Sequence, residues 1–171
     1  GLDAGFLYLE AAGPPMHVGS LMVIELPKRR GYDFRDALLS HLAERLPRAP
    51  ALRRVLHAAP LGLGHPMRAE ADAIALDGHV WRRKLAGKGD QAALMRLVGK
   101  LHAQVLPRDR PMWEFVVVDN VGPGQAALYS KIHHALLDGQ GGIALAQAIL
   151  HARGKGHQQL IADVMAMYII Y

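Results

Sequence analysis

Two apolar segments of strand length lie close together in the second half of the chain. Residues 113–119 and 125–132 are rich in β-branched, aromatic and aliphatic side chains, and the sequence Val-Gly-Pro-Gly at 121–124 lies between them. Such residues favour strands, and a short connection that contains Gly and Pro favours a reversal of chain direction. The pattern predicts an antiparallel hairpin with a somewhat long turn, so at least part of the fold is β-sheet.

Strand and helix signals alternate along the rest of the chain. Residues 17–26 are apolar and β-branched up to a proline, which predicts a buried strand. Apolar residues recur at helical spacing after Asp33, a candidate N-cap, and a second helix is predicted from about Asp90 to Val105. A third helix is predicted for the small and apolar residues at 141–150. This alternation predicts the α/β fold class.

The composition is that of a folded domain, and it narrows the available chemistry. Hydrophobic residues make up 51% and charged residues 20% of the 171 residues, which excludes disorder along the whole chain. The sequence has no cysteine, so disulfides, thiolate nucleophiles and cysteine-ligated zinc within it are excluded. Nucleophilic or base chemistry must therefore come from His, Ser, Lys or carboxylate side chains.

The chain is basic, but its charge pattern is not typical of nucleic-acid binding. Its 20 Lys and Arg residues against 15 Asp and Glu residues leave a net charge of +5. The surplus comes in scattered arginine pairs, and no run reaches the roughly five or six like charges of a nucleic-acid-binding arm. Aromatic residues are only 6%, which disfavours base stacking. We expect no nucleic-acid partner, whereas a polyanionic cofactor, an anionic bilayer and a solvated surface remain open.

No segment has the composition of a membrane span or a secretion signal. No apolar run approaches the ~20 residues that a span needs, and residues 1–10 have no basic stretch ahead of an apolar one. These observations predict an intracellular protein that is soluble or peripheral to a membrane. An apolar segment restarts over residues 158–171, which predicts a surface that needs a partner to cover it.

The sequence HHALLDG at 133–139 is the strongest chemical motif. Because successive side chains of a strand point to opposite faces, one of His133 and His134 is expected to face a cleft while the other packs behind it. Asp138 is placed to cap the following helix, and the glycines from Gly139 onward allow a tight turn. The motif predicts a positioned base, a carboxylate and a glycine-lined turn.

Two other interpretations of the histidine pair remain open on this pattern alone. Adjacent histidines are often a structural or solvent-exposed pair without a chemical role. A metal site made of His133, His134 and Asp138 is disfavoured, because adjacent histidines on a strand diverge and rarely share one ion. We therefore expect no bound metal.

The motif and its context resemble a known enzyme family. HHALLDG matches the HHxxxDG motif of the acyl-CoA-dependent acyltransferases, which include chloramphenicol acetyltransferase and peptide condensation domains. Together with PPMHVGSLMVIELP, PMWEFVVVD and ALYSKIHHALLDGQGG, it resembles the bacterial wax ester synthase/diacylglycerol acyltransferase family, collinearly from Gly1 to about Leu150. The resemblance implies a chloramphenicol-acetyltransferase-like fold, with a mixed, largely antiparallel sheet, packed helices and the role of N-terminal half of a two-domain enzyme.

The resemblance also implies a role for each residue of the motif. His134 would be the general base that takes a proton from an alcohol, so that the oxygen attacks the thioester of an acyl-CoA. His133 would shape the site from behind, Asp138 would hold the loop, and Gly139 would line the substrate. Acyl-CoA would be the co-substrate, the acceptor would be a fatty alcohol or diacylglycerol, and no cofactor is expected to be permanently bound.

The same resemblance implies a division of the chain and a set of partners. Residues 1–152 would form the N-terminal acyltransferase domain, and residues 153–171 a linker or the start of a second half that is missing here. The expected partner is that C-terminal half, and the expected location is cytoplasmic, with peripheral contact at the inner membrane or lipid droplets. Two alternatives stay open: a non-catalytic fragment that only binds its C-terminal half, and a condensation-type acyltransferase that uses a carrier-bound acyl group.

Overall fold

A mixed five-stranded sheet forms the centre of the structure, which is a computed structural model. It describes residues 10, 13–57, 67–71, 73–136 and 163–170. In these residues the strands are β1 (His17–Glu25), β2 (Arg54–His57), β3 (Met67–Glu70), β4 (Val80–Lys84), β5 (Trp113–Gly122), β6 (Gln125–His133) and β7 (Asp163–Ile170). The main sheet has the order β4-β5-β6-β1-β7, and β2 pairs with β3 in a separate two-stranded sheet.

Strand directions in the main sheet agree with the sequence-based expectation. Strand β6 pairs antiparallel with both β5 and β1, and β7 pairs antiparallel with β1. Only β4 and β5, among the described strands of this sheet, run parallel. The expected α/β fold with a mixed, largely antiparallel sheet is therefore confirmed.

The hairpin between β5 and β6 is also confirmed, but the prediction of a somewhat long turn was wrong. Strand β5 continues to Gly122 and β6 begins at Gln125, so only two residues connect them. Gly124 has φ 65°, a left-handed conformation that glycine adopts at little cost. The register shifts between Val118 and Gly122, and Asn120 within this bulge also has φ 65°. The bulge absorbs residues that sequence reasoning had placed in the turn.

Two helices pack on the sheet, each beginning at the expected aspartate. Helix α1 (Phe34–Arg45) follows Asp33, whose side chain accepts a hydrogen bond from the Asp36 amide at 3.0 Å. Helix α2 (Gln91–His102) follows Asp90, whose side chain accepts one from the Ala93 amide at 2.6 Å. These bonds satisfy backbone donors that the first helical turn leaves unpaired. In the described part of the chain, no helix is long and apolar enough to cross a membrane.

Helix α2 ends three residues earlier than the predicted end at Val105, because side chains from the sheet bind its last carbonyls. The Lys131 ammonium of β6 donates to the carbonyls of Leu101 and Gln104, at 2.7 and 2.8 Å. The His17 imidazole of β1 lies 2.7 Å from the carbonyl of His102. Val105 then lies outside the helix and is 54% exposed.

The two faces of the main sheet carry separate hydrophobic cores. The first core joins buried residues of α1 to Trp113 and Phe115, and the second joins buried residues of α2 to Val116 and Tyr129. Trp113 is buried, and its indole N–H donates to the Leu52 carbonyl at 2.7 Å. The sheet is thereby held between helices, and β6 is its central strand.

Strand β7 lies at an edge of the main sheet and leaves apolar side chains exposed. Met167, Tyr168 and Ile169 are 47%, 40% and 38% exposed. A strand at this place is compatible both with a linker and with the start of a second half. The division at residue 152 therefore stays a prediction.

Candidate active site

The histidine pair lies where β6 passes into a short 3₁₀ turn, His134–Leu136. His133 is the last residue of the strand and is completely buried, whereas His134 is half-buried. The His133 amide donates to the Met112 carbonyl at 3.0 Å, and the His134 amide donates to the Met16 carbonyl at 2.9 Å. Backbone bonds to two other segments therefore hold the pair in place.

The structure describes two of the four predicted site residues, His133 and His134. Asp138 and Gly139 lie outside the described residues, as does the helix predicted for 141–150. The difference in exposure between His133 and His134 agrees with one imidazole behind the other. Their roles, and those of Asp138 and Gly139, stay predictions.

A buried carboxylate beside His133 is the main feature that sequence reasoning missed. The Glu10 side chain is 2% exposed, and its Oε1 atom lies 3.4 Å from Nε2 of His133. Oε1 also accepts a hydrogen bond from the Met16 amide, and Oε2 accepts one from the Arg108 guanidinium, both at 2.9 Å. An acidic residue directly after an apolar stretch, Phe-Leu-Tyr-Leu at 6–9, was the one available signal, because buried carboxylates need partners.

The charges in this cluster shift the pKa values of both Glu10 and His133. Burial by itself raises the pKa of the Glu10 carboxyl, but the hydrogen bonds from the Met16 amide and the Arg108 guanidinium, together with electrostatic interactions with His133 and Arg108, outweigh it and lower that pKa. Burial lowers the pKa of His133, and the nearby Glu10 carboxylate only partly opposes this. At neutral pH the cluster therefore contains an ionised carboxylate and a neutral imidazole.

A second polar layer lies on the same sheet face, between β6 and the end of α2. Besides its two carbonyl partners, the Lys131 ammonium pairs with the Glu114 carboxylate at 2.9 Å, and its side chain is only 1% exposed. The His102 imidazole lies 2.7 Å from the Tyr129 hydroxyl, and it packs edge-on against His17. Each of these groups is polar and mostly enclosed, so the layer fixes the end of α2 against the sheet.

His17, which precedes the first apolar run of β1, belongs to this layer and is 3% exposed. Its Nε2 atom donates to the His102 carbonyl, and its Nδ1 atom has no hydrogen-bond partner within the described residues. Burial lowers the pKa of His17 to about 4, although the hydrogen bond to His102 raises it in part. These contacts give His17 a structural role, which is to hold the end of α2 against β1.

We expect the protein to lose stability as the pH falls from about 6.5 toward about 4. Because the folded pKa of His17 lies below its ordinary value, the unfolded chain binds the proton first, and the stabilisation is complete only above the unfolded pKa. A pKa shift of this size corresponds to about 3 kcal/mol in the free energy of unfolding. Urea unfolding at pH 7.5, 5.5 and 4.5 measures the loss.

His17→Gln is the matched control for this pH dependence. A glutamine amide can donate to the same carbonyl but does not titrate, so the variant should keep a flatter stability profile between pH 6.5 and 4.5. Burial also lowers the pKa values of His79 and His133. These two residues are present in both proteins, so they contribute equally to the slope of stability against pH. Identical slopes in the variant and the parent would contradict the assignment to His17.

A cavity of about 220 Å³ opens beside this polar layer, but neither histidine of the pair lines it. Its walls include Trp81, Arg83, Val105, Glu114 and Lys131. Among the residues described, no three His, Asp or Glu side chains are grouped so that they could hold a metal ion. Within the described residues, this cavity is therefore separate from the histidine pair.

Comparison with known families matches nearly the whole chain. The sequence profile of the wax ester synthase/diacylglycerol acyltransferase catalytic domain matches residues 1–160. A putative diacylglycerol O-acyltransferase of Mycobacterium bovis is 38% identical over 152 residues, which are 88% of this chain and 33% of that protein. A probable diacylglycerol O-acyltransferase of Mycobacterium tuberculosis, tgs3, is 34% identical over 147 residues, or 86% of this chain and 54% of that protein.

Solved structures show the same likeness. The wax ester synthase/diacylglycerol acyltransferase of Marinobacter aquaeolei VT8 superposes with a TM-score of 0.66 at 31% identity, covering 85% of this chain and 36% of that one. The starter condensation domain of rhizomide synthetase, in a complex with C8-CoA, has a TM-score of 0.68 at 17% identity, covering 88% of this chain and 33% of that one. At that identity the second match shows the fold alone. The chain thus spans about a third to a half of the length of these proteins.

Proposed function

We propose that this chain, which belongs to the wax ester synthase/diacylglycerol acyltransferase family, supplies the general base of an O-acyltransferase. The reaction would move a long-chain acyl group from acyl-CoA to a fatty alcohol or diacylglycerol. The observation that carries the proposal is the histidine pair at the end of β6, held by backbone bonds to Met16 and Met112 within the matched region.

His134 is proposed as the base because it is half-buried, whereas His133 is enclosed. Its imidazole would take the proton of the acceptor hydroxyl as the oxygen attacks the thioester carbonyl. The new C–O bond forms, the C–S bond breaks, and the proton passes to the leaving thiolate, so that coenzyme A departs as the thiol. General-base catalysis of this kind contributes ~10²–10⁴-fold.

The other motif residues are proposed to support this base. His133 shapes the site from behind, and Asp138 holds the loop after the turn. Gly139 is proposed to line the substrate, where a glycine allows close approach of the backbone. The acyl donor is acyl-CoA, in keeping with the C8-CoA complex of the condensation-domain neighbour.

We propose that a second part completes the substrate cleft. The Mycobacterium bovis relative is about three times as long as the matched segment, and neither histidine lines the described cavity. Residues 1–152 would form the domain that carries the base. Contact with a membrane or lipid droplet, which would deliver the apolar substrates, belongs to the same proposal.

Two alternatives lead to different experimental outcomes. The matched segment is a third of the length of the first relative, which is compatible with a fragment that only binds its second half. A condensation-type enzyme would use a carrier-bound acyl group instead of acyl-CoA. The segments PPMHVGSL and PMWEF resemble the lipid-making branch and favour acyl-CoA as the donor.

Thiol release from a long-chain acyl-CoA tests the function. We would co-express this chain with the C-terminal part of the Mycobacterium bovis relative, a pair called here the reconstituted enzyme. Release that requires a fatty alcohol or diacylglycerol and yields the ester supports the proposal. Association without release favours the non-catalytic fragment, and transfer only from a carrier-bound acyl group favours the condensation-type enzyme.

A further inference from the structure

We propose that Glu10 is a positioning residue: it keeps the proton of His133 on Nε2 and thereby shapes the turn that carries His134. The inference rests on the proposed function for its catalytic meaning. Its structural content concerns four groups, namely the Glu10 carboxylate, the Arg108 guanidinium, the His133 imidazole and the Ala135 amide.

The first step is that the Glu10 carboxylate has one orientation. Each of its oxygens has its own donor, the Met16 amide on Oε1 and the Arg108 guanidinium on Oε2, both at 2.9 Å. The side chain is 2% exposed, so water does not compete for these bonds. A carboxylate held at both oxygens is fixed in position and in plane.

The second step concerns the two nitrogens of the His133 ring. Nδ1 accepts a hydrogen bond from the Ala135 amide at 3.0 Å, so in the neutral ring the proton is on Nε2. Nε2 lies 3.4 Å from Oε1 of Glu10 and is buried, without a well-formed hydrogen bond in the described part of the protein. The carboxylate therefore faces the nitrogen that carries the proton and opposes the other tautomer electrostatically.

The third step connects this tautomer to His134. Ala135 directly follows His134, and its amide can donate to His133 only while Nδ1 has no proton. On the other side, Met16 donates its amide to Glu10 and accepts the His134 amide through its carbonyl, at 2.9 Å in both cases. Glu10 thus reaches the backbone of His134 by two routes, through Met16 and through His133.

Nitrogen NMR of the reconstituted enzyme tests the tautomer directly, with only the 171-residue chain labelled, at its histidines and uniformly at its amides. We expect the His133 ring to show a single Nε2–H tautomer and the Ala135 amide to be protected from exchange. Glu10→Ala should give a mixture of tautomers and at least a tenfold loss of protection at Ala135. Glu10→Gln keeps one oxygen as an acceptor but loses the negative charge that pairs with Arg108. Its tautomer mixture and its loss of protection at Ala135 should therefore lie between those of the parent and of Glu10→Ala.

Two further variants keep this test decisive. Asp33→Ala removes the N-cap of α1 and lowers stability, but it should leave the His133 and Ala135 signals unchanged. If Glu10→Ala does not fold, Arg108→Ala releases one carboxylate oxygen and should shift the same signals in the same direction. An Nδ1–H tautomer in the parent, or unchanged signals in the folded Glu10 variants, would overturn the inference.

The catalytic part is tested in the reconstituted enzyme. Displacement of a reacting group costs up to ~10²-fold, so we expect Glu10→Ala to lower kcat by ~10–100-fold with KM for acyl-CoA within twofold. His133→Ala should have a similar effect, and the double variant should lose less than the product of the two single losses, because one of the two routes from Glu10 to His134 runs through His133. If the loss of kcat in the double variant equals the product of the two single losses, the route from Glu10 through His133 is overturned. If the parent pair releases no thiol at all, the proposed function fails, while the NMR result still decides the tautomer.

Discussion

Replacing His134 by alanine is expected to lower thiol release by the reconstituted enzyme by ~10²–10⁴-fold, which is the contribution of a positioned general base. The fold should persist, because the imidazole is half-buried at the end of β6 and the backbone bond of its amide to Met16 does not depend on the side chain. Initial rates with saturating acyl-CoA and acceptor measure the effect, and thermal unfolding confirms that the variant is folded.

His41→Ala is the matched control for this experiment. His41 is also half-buried but lies on α1, so its replacement should leave the rate within twofold of the parent. Retention of more than a tenth of the activity in His134→Ala would remove His134 as the base.

A second large loss of thiol release is expected when this chain is assayed without the C-terminal part. Residues 1–171 alone should release thiol at least ~10²-fold more slowly than the reconstituted enzyme, since oriented binding of both reactants supplies several kcal/mol of the rate enhancement. The chain alone should also associate or aggregate. Strand β7 leaves Met167, Tyr168 and Ile169 exposed at a sheet edge, and apolar burial is worth ~25 cal/mol per Å².

Light scattering after size-exclusion chromatography and an acyl-CoA assay on the same fractions measure both expectations. Addition of the C-terminal part should convert the self-associated chain into a defined complex and raise the rate. A monodisperse monomer with full transferase activity would show that the cleft is complete within this chain, and the two-part interpretation would be wrong.

Several elements could be read from the sequence because their signals are local. The hairpin, strand β1 and the caps Asp33 and Asp90 depend on residues within a few positions of each other, and the structure confirms them. The turn of the hairpin was predicted too long because Gly124 and the bulge near Asn120 shorten it. The end of α2 was predicted too late because helical periodicity does not record that Lys131 caps it from another strand.

The sequence by itself determined that a histidine pair follows an apolar strand, that no cysteine chemistry is available, and that the chain resembles one acyltransferase family. Only the tertiary structure decided what surrounds the pair. Glu10 and Arg108 are 98 positions apart, and Glu10 meets His133 because β1 and β6 pair with His17 opposite His133. A single sequence carries no periodic signal for such contacts, since they arise from strand register and from the need of a buried carboxylate for partners.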